Sequence, residues 1–336
     1  VIQGNKFRQA GPTLNAVAAL MGDDLRIVND IIRRRMQSEV ALIPTLAGHL
    51  IDSGGKRLRP MLTLACARLV GYEGTLHHSL AAAIEFLHSA TLLHDDVVDG
   101  SSLRRGRKTA NLVWGNRATI FVGDFLLSQS FELMIETQSS RAIELLSRAT
   151  TKMVRGEIDQ LGAARRLASN EADYYGVINA KTADLFAVAC RMAAVIAGEN
   201  ERREAALDSY GRNIGIAFQL VDDAIDYTSS DAAMGKAAGD DFREGKVTLP
   251  VILSYRDGDP QVRRFWQDVI SGRTPADEAA LEHALHLLET RGAIAETLAR
   301  ARCHAEAAKK AIQYFPDSDL KTALMEAADF SVSRTC

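Results

Sequence analysis

Apolar residues recur at helical spacing along nearly the whole chain, and only seven prolines among 336 residues interrupt the pattern. Such spacing gathers an apolar stripe on one face of each helix, and that stripe must be buried against another helix. Ala and Leu, both strong helix formers, dominate the composition. Strand-like alternation is absent, so the expected class is all-α, with a 47% hydrophobic content that is ample for a core. Candidate helices cover residues 14–35, 38–52, 60–70, 76–99, 110–136, 140–166, 171–197, 201–228, 247–256, 277–290, 294–313 and 318–332. The breaks fall at Gly54-Gly55, Gly71, Gly100 to Gly106, Gly198, Ser229 to Gly245 and Gly258 to Pro260. None has the composition of a long linker. Residues 14–332 are expected to form a single domain, with residues 1–13 disordered ahead of it.

Bulk properties exclude some functions. A net charge of −3 offers no basic field for nucleic acid. Cys66, Cys190, Cys303 and Cys336 are far apart and form no C-x-x-C pair. Cys66 and Cys190 fit as small core residues in a reducing compartment, which implies a cytoplasmic location. No run of 18 or more apolar residues is expected to span a bilayer. There is no P-loop and no G-x-G-x-x-G, which weighs against a nucleotide enzyme, and H-E-x-x-H is absent.

Two aspartate clusters share one form, D-D-x-x-D. They are LLHDDVVDG, with Asp95, Asp96 and Asp99, and QLVDDAIDY, with Asp222, Asp223 and Asp226. At about 100° per residue, positions i, i+1 and i+4 fall on one face of a helix. Each cluster therefore aims three carboxylates at one place. Carboxylates among Leu, Val and Ile require a partner charge or a metal. All-oxygen donors suit a hard cation, Mg²⁺. The helices that carry the clusters, 76–99 and 201–228, are apolar nearly all round and so central. Both clusters sit near C-terminal ends, where the helix dipole repels carboxylates and a bound cation offsets the repulsion.

Three basic groups accompany the clusters. Gly54-Gly55-Lys56-Arg57-Leu58-Arg59-Pro60 is a glycine turn with three cations, which either grips phosphate or caps the next helix. Ser102-Leu103-Arg104-Arg105-Gly106 follows the first cluster directly. Lys181-Thr182, then Lys236 and Lys246 around Gly239-Asp240-Asp241, form the third. Any one of these lysines alone fits a solvated surface charge. Together with six carboxylates and an apolar interior, the simplest ligand is a diphosphate on a hydrocarbon.

GGKRLRP, HDDVVD followed by LRRG, the KT pair, FQLVDDAIDY and GKAAGDDFREGKVTLP occur in that order. In these motifs the chain resembles the trans-isoprenyl diphosphate synthases, and within them the long-chain (octaprenyl to decaprenyl) polyprenyl diphosphate synthases. The resemblance covers roughly residues 14–330. It implies an isoprenoid-synthase-type helical bundle around a deep central cavity, usually a homodimer. The implied reaction extends an allylic diphosphate primer with isopentenyl diphosphate. The allylic diphosphate ionises, the isopentenyl double bond attacks the cation, and a proton is lost. The implied role is making the isoprenoid tail of a respiratory quinone, and the lipid product implies peripheral membrane contact at release.

The resemblance also implies residue roles. Asp95, Asp96 and Asp99 would hold Mg²⁺ on the allylic diphosphate. Asp222, Asp223 and Asp226 would form the second metal motif, with Asp222 a direct ligand. Arg104, Lys181, Lys236 and Lys246 would bind the allylic diphosphate. Lys56, Arg59, His88 and Arg105 would bind isopentenyl diphosphate, with Gly55 and Arg57 nearby. Thr182, Phe218 and Gln219 would line the reacting centre. Ala90 and Thr91 would gate the tunnel for the growing chain, with Met134 and Leu146 near its floor. Thr91 shares a helical face with Asp95, whereas Ala90 does not on an ideal helix. A small residue at 90 implies a long product. The chain departs from its relatives at Gly100-Ser101-Ser102, where an acidic residue more commonly follows the third Asp, and Gly100 is expected to loosen the loop carrying Arg104 and Arg105.

Three other readings are weighed. A shorter-chain (geranylgeranyl or farnesyl) synthase is opposed by Ala90. A terpene cyclase usually carries an Asn/Ser/Glu form of the second motif. Non-catalytic synthase subunits tend to lose one aspartate motif, and this chain keeps both.

Overall fold

The computed structural model describes residues 14–51, 55–104, 106–163, 170–228 and 239–333. The expectation for residues 1–13 lies outside them. In chain order the elements are α1 (Leu14–Leu20), α2 (Gly22–Arg35), α3 (Leu42–Ile51), α4 (Leu58–Leu69), α5 (Leu76–Val98), β1 (Leu103–Arg104), β2 (Arg107–Lys108), α6 (Ala110–Trp114), α7 (Asn116–Glu136) and α8 (Ser140–Ala163). They continue with α9 (Glu171–Ile178), a π-helical turn (Asn179–Ala183), α10 (Asp184–Ile196), α11 (Glu201–Ile225), α12 (Asp240–Glu244), α13 (Leu249–Arg256), α14 (Pro260–Ile270), α15 (Glu278–Thr290), α16 (Ala293–Ala311) and α17 (Asp319–Ser333). The all-α class expected from the periodicity is the class observed.

The two helices that carry the aspartates are central. α5 packs along α7, and α11 packs along both α10 and α16. α5 buries Leu80, Ile84, Phe86, Leu87 and Leu93 on several sides at once. α11 passes through both apolar clusters of the core. Leu207, Tyr210 and Ile214 join the larger one, with α4, α5 and α10. Leu220, Val221 and Ile225 join a second, with Leu249, Leu253 and Trp266. Small residues set the spacing of α10 and α11. A Cβ at position 211 would lie 2.3 Å from the Phe186 carbonyl oxygen, and one at 215 would lie 2.6 Å from Ala183 Cα. Only glycine lets these backbones meet so closely.

Several details differ from the sequence expectations. The helix expected over 14–35 is interrupted at Met21, and that over 110–136 at Gly115. A π-helical turn interrupts the helix expected over 171–197. Residues 260–270 are helical, outside the candidate helices. Asp259 caps this helix, its carboxylate accepting from Gln261 and Val262 N–H at 3.0 Å each, and Pro260 fills the first position. Asp-Pro is here a helix start rather than a break. A two-residue antiparallel pairing, Leu103 with Lys108 and Arg104 with Arg107, is too short to leave an alternation in the sequence.

α7 is long and apolar enough to cross a membrane by length and composition, contrary to the expectation. It packs on α5 instead, burying Val122, Leu126, Leu133 and Met134.

Candidate active site

α5 ends at the first cluster. Asp99 is its C-cap, and Gly100 turns the chain at φ +62°, a conformation glycine adopts without strain. The following loop is tied rather than loosened. Ser101 N–H donates to the Asp96 carbonyl at 3.1 Å, and the Ser101 carbonyl accepts from the Thr109 hydroxyl at 2.7 Å and the Asn111 amide at 3.2 Å. This turn and the short β1–β2 pairing bring Arg104 back to the cluster. Arg104 donates to Asp96 Oδ1 from Nε at 2.9 Å and from a terminal nitrogen at 2.7 Å. Asp96 is only 1% exposed, and both Arg104 nitrogens converge on this one oxygen. Arg105 lies outside the described residues.

Asp95 faces the π-helical turn. Lys181 Nζ is 3.9 Å from Asp95 and 2.9 Å from Glu157 of α8. Burial pushes the Asp95 carboxyl up to about 6; Lys181 opposes the shift, and Glu157 and Asp99 add to it. A carboxylate with this residual cost of ionisation is suited to a cation. The π turn matters because it displaces one residue from the α-helical ladder, a distortion common at functional sites.

From the next residue of that turn a hydrogen-bonded chain runs to the second cluster. The Thr182 hydroxyl donates to Gln219 Oε1 at 2.8 Å, and Gln219 Nε2 donates to Asp223 Oδ1 at 2.8 Å. The Tyr174 hydroxyl donates to the other oxygen of Asp223. Burial, followed by repulsion from Asp241, pushes the Asp223 carboxyl up to about 8. Asp226 is set differently. Its carboxylate accepts from Asp241 N–H at 3.1 Å and its carbonyl from Gly239 N–H at 2.7 Å. α12 is thereby held at the end of α11, and Lys246 Nζ just beyond α12 lies 3.8 Å from Asp99 and 3.8 Å from Asp241. The two clusters thus share one region. Lys236 lies outside the described residues.

The glycine-turn basic group sits at the start of α4, and its cations diverge. Arg57 adopts φ +51° at the N-cap and is paired with Glu85 at 2.5 Å. Arg59 is 3.1 Å from His88 Nε2, with its guanidinium 4.1 Å from the centroid of the Phe186 ring. Lys56 stands 4.6 Å over Phe330. Both stacked contacts are cation–π arrangements. Gly55 is half-buried beside them. The Phe218 ring lies 5.9 Å from that of Phe186, centroid to centroid. Farther down, Ala90, Met134 and Leu146 are buried, and the Thr91 hydroxyl donates to the His88 carbonyl at 2.8 Å.

Glu157, Tyr174, Glu85, Phe186 and Asp241 were not singled out in sequence. Asp241 lay in a quoted motif without a role. Glu157 and Glu85 carried the clearest missed signal, a carboxylate on an otherwise packed helix, but their partners lie 24 and 28 residues away.

Residues 40–288 match the polyprenyl synthetase family. The chain belongs to that family. As a polyprenyl synthetase it is an enzyme, a trans-prenyltransferase of isoprenoid biosynthesis. An octaprenyl diphosphate synthase from Escherichia coli (strain K12) is 39% identical over 324 residues, covering 96% of this chain and 99% of the relative. A crystal structure of polyprenyl synthase from Caulobacter crescentus CB15, complexed with calcium and isoprenyl diphosphate, is 48% identical with a TM-score of 0.93, covering 98% of this chain and 100% of that one. A crystal structure of a decaprenyl diphosphate synthase from Rhodobacter capsulatus is 46% identical with a TM-score of 0.91, covering 96% of this synthetase and 99% of that chain.

Proposed function

We propose that this synthetase uses Mg²⁺ to extend an allylic diphosphate with successive isopentenyl diphosphate units, in trans, to an octaprenyl to decaprenyl product. The observation that carries this reading is Lys246, whose ammonium lies 3.8 Å from Asp99 of the first cluster and 3.8 Å from Asp241 beyond the second. One region thereby offers carboxylates for a hard cation and ammonium or guanidinium groups for a diphosphate. The similarity to synthases named for octaprenyl and decaprenyl products supports the length.

The donor set fits Mg²⁺, because the carboxylates are hard oxygen ligands and Asp95 is half-buried with its ionisation opposed. Asp95, Asp99 and Asp222 are the residues that would hold it. When bound, the cation supplies charge neutralisation on the departing diphosphate. Arg104, Lys181 and Lys246 neutralise the same developing charge from the protein side, and so act most strongly in the transition state. Arg59, steered by His88 and Phe186, binds the isopentenyl diphosphate with Lys56. Thr182, Gln219 and Phe218 flank the allylic carbon and exclude water from the cation formed there. The proton lost from the condensation product passes to the released diphosphate, so the step needs no dedicated protein base.

Purified protein incubated with Mg²⁺, farnesyl diphosphate and labelled isopentenyl diphosphate is expected to give a ladder ending at octaprenyl to decaprenyl. A stop at farnesylgeranyl or shorter would overturn the length, and no incorporation would overturn the reaction.

The same reading includes a homodimer in the cytoplasm that supplies a quinone side chain. Leu112, Val113, Ile120 and Phe121 of α6 and α7 form an exposed apolar face, with Phe121 71% exposed. A second copy of this chain is the occupant, since these apolar side chains stand exposed while the other face of α7 is buried on α5. Sedimentation should give twice the chain mass for the parent and the chain mass for Phe121→Glu; a monomeric parent would remove the dimer.

A further inference from the structure

On α2 and the first turn of α5, away from both aspartate clusters, Asp24, His77 and His78 converge. One ligand atom of each lies within 4.8 Å of the other two. His78 Nε2 is 2.7 Å and His77 Nε2 is 3.6 Å from the same oxygen, Asp24 Oδ1. The imidazole rings lie 4.0 Å apart, centroid to centroid. All three residues are buried, His77 completely.

His77 is the informative member. Neither of its ring nitrogens has a hydrogen-bond partner. A buried polar group left without one is destabilising. An apolar side chain at this position would avoid that cost. The imidazole nevertheless faces a carboxylate oxygen that a second imidazole also approaches. Two imidazole nitrogens and a carboxylate oxygen around one point form the donor set of a zinc-class ion.

We propose that Asp24, His77 and His78 bind a divalent transition metal of the zinc class, separately from the carboxylate site at the aspartate clusters. In a tetrahedral site the ligand atoms stand about 3.4 Å apart. The observed 2.7 and 3.6 Å bracket that spacing, so small side-chain shifts suffice. Arg68 sets the second layer. It donates to Asp24 Oδ2 at 3.3 Å and Oδ1 at 3.0 Å, and on metal binding it keeps Oδ2 while Oδ1 turns to the ion. Its positive charge disfavours a weakly held, oxygen-seeking cation and leaves the site to metals that bind imidazole strongly. The ion ties α2 to the start of the helix whose far end carries Asp95, Asp96 and Asp99.

The test is Co²⁺ titration of the metal-stripped full chain with Mg²⁺ in excess to occupy the carboxylate site. The expected result is the visible absorption of tetrahedral cobalt, saturating at one equivalent per chain and displaced by Zn²⁺. His77→Gln and His78→Gln, each checked for native far-UV circular dichroism, are expected to lose it. If His77→Gln does not fold, Asp24→Asn with His78→Gln gives the same reading. No tetrahedral absorption in the parent chain, or absorption that survives in folded His77→Gln, would overturn the site.

Discussion

Lys246 Nζ lies 3.8 Å from Asp99, so the residue just beyond α12 meets the end of the first aspartate cluster. Asp241 shares the ammonium at 3.8 Å and Glu244 at 2.5 Å. Burial opposes the charge of Lys246, yet Asp241, Glu244 and Asp99 outweigh it and push its pKa up. The neighbouring carboxylates thus favour the cationic form of the side chain. A fixed cation among carboxylates is preorganised for the moment when a diphosphate leaves.

Replacing that cation should therefore slow the reaction more than it weakens substrate binding. Lys246→Met is expected to lower kcat/KM by roughly 10²–10³-fold, mostly through kcat, and Lys246→Arg to recover part of it. Steady-state kinetics with farnesyl and isopentenyl diphosphates decide the matter. A Met variant within twofold of the parent would reduce Lys246 to a structural tie.

The two adjacent aspartates of the second cluster should not respond alike. Asp223 accepts hydrogen bonds from Tyr174 and Gln219, and burial and Asp241 push its carboxyl up to about 8. Burial and Asp241 disfavour its charge before metal binds, so a neutral amide is a mild replacement. Asp223→Asn is expected to cost about 10-fold in kcat/KM or less, and Asp222→Asn more than about 10²-fold with a raised Mg²⁺ requirement. Equal losses at the two positions, read across a Mg²⁺ titration, would refute the distinction.

Helical class, the central position of α5 and α11 and the facing aspartates were legible because each depends on local spacing. Three apolar neighbours in four residues bury a helix whatever the partner. Pairings between distant elements were not legible. Nothing near Lys181 in sequence names Glu157, and nothing near Asp223 names Tyr174. The α14 helix is not legible from Pro260, which reads as a break until Asp259 ahead of it is seen to supply a cap. The loop after Asp99 was expected to be loose because Gly100 was weighed alone, without the hydrogen bonds of Ser101. The aspartates were readable as a set, but not that Asp96 belongs to Arg104 and Asp223 to Tyr174.

Product length gives a prediction at Ala90, which is 1% exposed on α5. Ala90→Tyr places an aromatic ring where a growing chain would pass, and the product is expected to shorten sharply. Overpacking costs about 1–3 kcal/mol, so thermal unfolding should accompany chromatography of the dephosphorylated products. An unchanged product from a folded variant would refute the gate.

A last prediction concerns stability against pH. Burial holds the His77 imidazole down to about 4, and repulsion from His78 adds to this while Asp24 opposes it. In the unfolded chain the group titrates near about 6.5. Between these values the unfolded state binds the proton and the native state does not. Its contribution is therefore fully present above about pH 6.5 and is lost as pH falls through about 4. The facing charges are Asp24, Arg68 and His78. The Asp24 carboxyl, held down by Arg68 and His78 against the effect of burial, acts in the same direction at lower pH. Asp95, raised to about 6 by burial, acts in the opposite direction within the window. The discriminating quantity is thus the difference between the parent and His77→Gln in urea unfolding at pH 7.5 and pH 5, with chelator present. The parent is expected to lose about 1–2 kcal/mol more than the variant on going to pH 5. Parallel losses would mean that His77 is not buried as a neutral imidazole.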